Sequence, residues 1–148
     1  MRIAPLLASA AILSVVIFAA SGCQPGVGAT ATGIVSFDGV PAPAGVLVIF
    51  YPKGPNGSSS MAITDATGKY DLWFNASVRG VMPGENAVSL AVENDLNASR
   101  GVLVTDALRA LKIPARYRGP SSPIVKTVKP GANVVDIDVT TSEAAAAK

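Results

Sequence analysis

Short runs of β-branched and aromatic residues, separated by glycine and proline turns, dominate the chain from Thr32 onward. In Lys69–Phe74, for example, Tyr70, Leu72 and Phe74 point to one face and the residues between them to the other. Runs of this kind between turn signals predict an all-β sandwich. The seven predicted strands are Thr32–Phe37, Val46–Tyr51, Met61–Thr64, Lys69–Phe74, a fifth run through Val88, Leu90 and Val92, then Ile124–Val128 and Asn133–Val139.

Two segments add detail to this pattern. Val46–Tyr51 is apolar on both faces, which predicts a central strand. Pro41 and Pro43, which precede it, are expected to interrupt any hydrogen-bonded pairing between strands.

Thr105–Lys112 has helix-start residues at its beginning and is followed by Pro114. We therefore expect one short helix in the crossover between the fifth and sixth strands.

Cysteine and histidine usage restricts the chemistry that this chain can perform. Cys23 is the only cysteine and there is no histidine, so no intramolecular disulfide, no Ser-His-Asp or Cys-His apparatus and no His/Cys zinc site is expected. The 12 basic and 10 acidic side chains nearly balance, which does not indicate a nucleic-acid partner. Basic residues concentrate between Arg100 and Lys129, which indicates a solvated face or, alternatively, contact with anionic head groups. We expect no metal, no cofactor and no nucleic acid.

The amino terminus has the pattern of a secretory signal. Arg2 precedes an uncharged run that continues to Ala20, and small residues stand before Cys23. This ending resembles the lipobox of bacterial lipoproteins, in which the cysteine is acylated and becomes the mature amino terminus. The alternatives are an ordinary signal peptide and an uncleaved transmembrane anchor. The predicted divisions are a signal peptide over residues 1–22, a flexible tether over 23–31, a β-sandwich over 32–140 and a tail over 141–148.

Several phrases of the sequence occur in a characteristic order. They are Gly33–Gly39, Val46–Pro52, Thr64–Tyr70, Pro83-Gly84, Ile113–Tyr117, Val125–Gly131 and Asp136–Asp138. Together they resemble short bacterial envelope lipoproteins that carry a carboxypeptidase-regulatory-like domain. The resemblance implies a seven-stranded, immunoglobulin- or prealbumin-like (transthyretin-like) sandwich without enzymatic activity.

Two aromatic residues are the candidate binding residues. By strand alternation Trp73 faces away from the core, where an exposed ring can contact a partner or stack on a sugar, unless a helix or loop covers it. Tyr117 is expected to seal the core as the chain returns to the sandwich, and it lies in the loop Arg116–Pro123. A binding surface built from Trp73, this loop and Pro52–Ser59 is the alternative to a purely structural role.

Two pairs of acidic residues are candidate functional groups. Asp65 and Asp71 flank a turn whose start resembles a calcium loop, but no glutamate follows at a usable spacing, so a structural Asx-turn is favoured. Asp136 and Asp138 lie on one strand face and are expected to be outward charges on an edge rather than an acid/base pair.

The sequence therefore predicts a non-enzymatic envelope lipoprotein. We expect it to be held at a membrane by lipidated Cys23, on the periplasmic side or at the outer membrane or cell surface. Its β-sandwich is expected to act in structure or in interaction with an envelope protein. The alternative is a carbohydrate-binding or small-molecule-binding module.

Overall fold

A computed structural model describes residues 27–92 and 99–142. The predicted signal peptide, Cys23, most of the predicted tether and the last residues of the tail lie outside the described residues. Within the described ranges, no helix has the length and apolar character that crossing a bilayer would require.

The described chain consists mainly of β-strands, with one short α-helix and one 3-10 helix between the sixth and seventh strands. In chain order the elements are β1 (Ala29–Phe37), β2 (Val40–Pro41), β3 (Val46–Pro52), β4 (Ser60–Ile63), β5 (Lys69–Asp71), β6 (Gly84–Val92), α1 (Asp106–Ala110), the 3-10 helix Ala115–Tyr117, β7 (Val125–Val128), β8 (Gly131–Val134) and β9 (Ile137–Val139).

These strands form two sheets. In the first sheet β1 is central, with β2 and β5 antiparallel on one side and β8 and β9 parallel on the other. The second sheet is antiparallel throughout, in the order β4-β3-β6-β7. The predicted all-β sandwich with a short helix in a crossover is confirmed, and β3 is an inner strand, as its two apolar faces indicated.

The core lies between the two sheets and is built from the inward residues of both. Val46, Val48 and Phe50 of β3 are fully buried, and the Phe50 ring lies 6.2 Å from that of Tyr70 in the opposite sheet. Ile113 and Leu108 from the crossover join the same apolar cluster. Burial of this surface is the main stabilising contribution to the sandwich.

Several strand boundaries differ from the prediction; the strand predicted over Lys69–Phe74, for example, ends at Asp71. β1 begins at Ala29, so residues 29–31, which the sequence predicts as part of the tether, belong to the sheet. Val40–Pro41 pairs with the end of β1 instead of breaking the ladder, because at a sheet edge the missing N–H of proline costs nothing. The predicted seventh strand is interrupted at Val135-Asp136, which separates β8 from β9.

The predicted helix is confirmed with narrower bounds. The Thr105 hydroxyl caps α1 by accepting a hydrogen bond from Leu108 N at 3.2 Å, and the helix ends before Leu111. Leu108 is only 1% exposed, so a single turn of helix attaches the crossover to the core.

The sandwich has two distinct ends. At the proximal end, where β1 begins, Gly131 N donates to Gly28 O at 2.9 Å and Gly28 lies against Pro83. At the distal end, where β1 stops, Phe37 and Asp38 lie beside Lys112 and Thr141. The length of β1 separates these ends by roughly 26 Å at ~3.3 Å per residue.

Candidate functional site

Trp73 reaches the surface because the strand that carries it moves from one sheet to the other. β5 pairs with β1 as far as Asp71, and Leu72 N donates to Ala31 O at 3.0 Å. The next residue instead exchanges two backbone hydrogen bonds of 2.9 Å with Met61 of β4. Leu72 is fully buried whereas Trp73 is 40% exposed, so the predicted outward orientation of the indole is confirmed.

Trp73 is the middle residue of a short row of outward side chains. It forms one antiparallel bridge with Met61 and another with Arg79, which places the three residues side by side across neighbouring strand segments. Residues that are paired in this way project to the same face. We call Met61, Trp73 and Arg79 the tryptophan row.

A tight turn brings Arg79 back beside Trp73. The side-chain oxygen of Asn75 accepts hydrogen bonds from Ser77 N and Val78 N, both at 2.9 Å. Phe74 N also donates to Val78 O, which closes the turn. Sequence reasoning missed Arg79 and Met61, although the asparagine turn is a local signal that the chain reverses after Phe74.

The Arg79 guanidinium is held over the indole ring. Its central carbon lies 5.8 Å from the ring centroid, within the range of a cation–π interaction. The same guanidinium forms an ion pair with Asp71 Oδ2, on the strand that leads to Trp73. Asp71 therefore fixes Arg79, and Arg79 occupies one face of the indole.

Tyr117, the other candidate binding residue, lies elsewhere and has a structural role. Its hydroxyl accepts a hydrogen bond from Arg116 Nη2 at 3.0 Å and donates to Thr140 O at 3.2 Å. Arg116 also donates to the carbonyls of Thr140 and Ser142. The side chain packs against the core, as expected, and fixes the chain after β9.

The structure does not combine Trp73 with the two loops proposed beside it. Gly119 N, in the loop Arg116–Pro123, donates to Ser89 Oγ at 2.7 Å, so this loop covers β6. The loop Pro52–Ser59 instead lines an open groove of about 490 Å³ with residues 82–85 at the proximal end. Within the described ranges no hydrogen bond or ring contact joins Trp73 to either loop.

The acidic pairs are engaged in hydrogen bonds that shape the fold. Asp65 Oδ1 accepts from Thr67 N at 2.8 Å and from Thr67 Oγ at 2.7 Å, which confirms the Asx-turn. These bonds to Thr67 hold the pKa of Asp65 below its ordinary value of 3.8. No group of three or more possible metal-ligating side chains occurs among residues 27–92 and 99–142.

Asp136 and Asp138 both bind β1 rather than each other. Asp136 Oδ1 accepts from Ile34 N at 2.9 Å, where the ladder is interrupted. Asp138 Oδ1 accepts from Ser36 Oγ at 2.7 Å and from Gly39 N at 3.3 Å. Both carboxylates thus stabilise the first sheet and its hairpin turn.

No protein-family model matches the chain, and no curated protein is significantly similar to it. One solved structure is similar over 82% of this chain and 85% of its own length, with 19% identity and a TM-score of 0.38. It is the dioxygenase domain of a novel dioxygenase carbohydrate-binding protein fusion from the cellulolytic bacterium Streptomyces sp. SirexAA-E. At this TM-score the likeness carries no argument about function.

Proposed function

We propose that this protein is a lipid-anchored module of the bacterial envelope that binds a protein partner through the tryptophan row. The observation that carries the proposal is a half-exposed indole whose neighbours fix its position: Met61 bridges it on one side, and Arg79 covers one of its faces. Aromatic residues, methionine and arginine are the side chains enriched at the centres of protein interfaces.

The same geometry favours a protein over a sugar. A pyranose stacks on an open ring face, and in this protein the Arg79 guanidinium already occupies one face of Trp73. The ion pair with Asp71 favours this position of the guanidinium in the free protein. An interface with a preformed aromatic anchor loses less conformational entropy on binding than one that must be ordered.

The lipid anchor and the non-enzymatic role come from the sequence. The small residues before Cys23 support acylation at that residue, and the ordered phrases from Gly33 to Asp138 support a carboxypeptidase-regulatory-like domain. In the described chain, the acidic pairs Asp65/Asp71 and Asp136/Asp138 accept hydrogen bonds or an ion pair that hold the fold. That use of the carboxylates supports a binding role rather than acid/base catalysis.

The proposal is tested by cross-linking the acylated protein in intact host cells and identifying the products by mass spectrometry. We expect one dominant protein partner with the wild type. Trp73→Ala is expected to weaken binding by at least ~2 kcal/mol, about thirtyfold in affinity, and so to remove that product. Val134→Ala is the matched control, because Val134 is 80% exposed on β8 of the other sheet.

Three results decide between the alternatives. A partner that is lost with Trp73→Ala and kept with Val134→Ala supports the proposal. Cross-links to glycan alone support the carbohydrate-binding alternative. A partner that both variants retain shows that binding does not involve the tryptophan row. A Cys23→Ser variant separately tests whether the protein binds this partner only when it is anchored at the membrane.

A further inference from the structure

We infer that the proximal end of the sandwich lies on the membrane and that Lys53 and Lys129 contact anionic phospholipid head groups there. This inference rests on the lipid anchor of the proposed function, and it concerns a surface that adjoins the tryptophan row at Arg79. Four observations carry it: the length of the linker, the positions of the two lysines, the distribution of charge between the two ends, and the apolar grooves between the lysines.

The linker between the anchor and the domain is short. Val27 is the first described residue, and β1 begins at Ala29, three residues earlier than the sequence suggested. The four residue steps from Cys23 to Val27 span at most about 14 Å even when fully extended. An acylated Cys23 in the bilayer surface therefore keeps the proximal end, and not the distal end, next to the head groups.

Both lysines lie on backbone that is fixed at this end. Lys53 N donates to Glu85 O at 2.9 Å, so the residue after β3 is joined to β6. Lys129 N donates to Asn133 Oδ1 at 2.9 Å. Asn133 Nδ2 in turn donates to the carbonyls of Lys129, at 2.7 Å, and Thr30, at 3.2 Å. Asn133 thus ties the turn that presents Lys129 to the first residues of β1.

Charge is distributed unequally between the two ends. Lys53 and Lys129 are exposed and, among the described residues, form no ion pair. Lys126, the second residue of β7, and Arg79, which lines one of the grooves, add positive charge at this end, against the carboxylates of Glu85 and Asp71. The distal end presents Asp38, Asp65 and Asp138 together with Lys69, Lys112 and Arg116, so the formal charges of these groups balance. An anionic surface therefore attracts the proximal end more strongly than the distal end.

Apolar surface lies between the basic residues. Two shallow grooves open at the proximal end. One of about 490 Å³ includes Lys53, Met82 and Pro83, and one of about 440 Å³ includes Val27, Gly131 and Arg79. Lysines around an apolar centre fit the boundary between head groups and acyl chains, because the ammonium groups reach phosphate while the centre contacts lipid. An acidic protein surface would also attract the lysines, but the short linker holds this end of the sandwich next to the bilayer.

The test measures how fast individual lysines react when the acylated protein is reconstituted in vesicles. One set of vesicles is phosphatidylcholine alone, and the other contains phosphatidylglycerol in addition. A soluble amine-reactive reagent is applied, and mass spectrometry gives the labelling rate at each site. At ~1 kcal/mol per lysine near an anionic surface, labelling of Lys53 and Lys129 is expected to fall about fivefold on the anionic vesicles.

Lys69 and Lys112 are internal controls in the same molecule, because they lie away from the proximal end, and their labelling is expected to stay the same on both vesicles. High salt is expected to remove the protection of Lys53 and Lys129. Lys126 is expected to be protected on the anionic vesicles as well. A Lys53→Glu/Lys129→Glu variant, checked for folding by circular dichroism, is expected to remove the protection of Lys126, whereas Lys69→Glu/Lys112→Glu is expected to leave it.

The outcomes separate this inference from the proposed anchor. Equal labelling of all lysines on both vesicles, in a protein whose mass shows an acylated Cys23, overturns the membrane contact and leaves the anchor in place. Protection of Lys69 or Lys112 in place of Lys53 and Lys129 also overturns it. A mature protein without acyl groups, which does not sediment with vesicles, overturns both the anchor and the contact that depends on it.

Discussion

Tyr70 explains a local irregularity of the first sheet at the scale of single residues. Its hydroxyl donates to Val135 O, in the interruption between β8 and β9. The neighbouring Ile34 N is satisfied instead by the Asp136 carboxylate. A Cβ atom at Gly33 would lie 2.1 Å from Val135 O, so only glycine fits between the tyrosine and this carbonyl. The irregular ladder is therefore a hydrogen-bonded arrangement of four residues.

Replacing Tyr70 with phenylalanine tests this arrangement. Tyr70→Phe leaves the buried Val135 carbonyl without its donor, which is expected to lower the free energy of unfolding by about 1–3 kcal/mol at neutral pH. Chemical denaturation measures the difference. Tyr51→Phe removes a half-buried hydroxyl for which no protein hydrogen bond is seen in the described residues, and it is expected to change stability by less than ~0.5 kcal/mol.

The same pair of proteins gives a pH dependence with a definite sign. Burial raises the pKa of the Tyr70 hydroxyl above its ordinary value of 10.0, and the charge of Asp136 adds to the shift. The unfolded chain therefore loses this proton first, so the stabilisation is complete below pH 10 and decreases as the pH rises further. The stability difference between the wild type and Tyr70→Phe is expected to narrow above pH 10. A difference that stays constant there would contradict this account.

At the scale of elements, the sequence predicts what depends on local periodicity. Alternation placed Tyr70 inside and Trp73 outside, and the Thr105 cap with Pro114 located α1, because each of these signals lies within a few residues. The contact of Trp73 with Met61 and Arg79 depends on strand register between distant segments, which alternation alone does not determine. Asp136 accepts a hydrogen bond from Ile34 N at the interruption of the ladder, where the Val135 carbonyl accepts from the distant Tyr70 hydroxyl. The sequence shows that residue 136 is acidic, but it does not show this hydrogen-bond partner.

The helix α1 offers a prediction about the crossover. Leu108 is 1% exposed within the core, so Leu108→Ala is expected to cost about 2–5 kcal/mol of unfolding free energy through lost burial and the cavity that remains. Leu103→Ala makes the same chemical change three residues before α1, where the side chain is 83% exposed, and is expected to change stability by no more than ~0.5 kcal/mol. Equal effects in urea denaturation would show that α1 does not attach the crossover.

At the scale of the whole molecule, the two sheets are joined by one continuous strand segment. β5 pairs with β1 in the first sheet, and two residues after it Trp73 pairs with Met61 at the edge of the second. The buried Leu72 between them belongs to the common core. A strand segment shared in this way couples the two sheets, because separating it from either sheet would expose core side chains of the other sheet.

This coupling predicts that the sandwich unfolds in a single cooperative step. Trp73 is the only tryptophan, so its fluorescence reports the edge of the second sheet, while far-ultraviolet circular dichroism reports the strands of both. The two signals are expected to give the same urea midpoint and the same slope, as in a two-state transition. Leu72→Ala is expected to lower both midpoints together, because Leu72 packs between the sheets. A fluorescence change that precedes the loss of circular dichroism would mean that the edge with the tryptophan row opens by itself, and the row would then not be a preformed site.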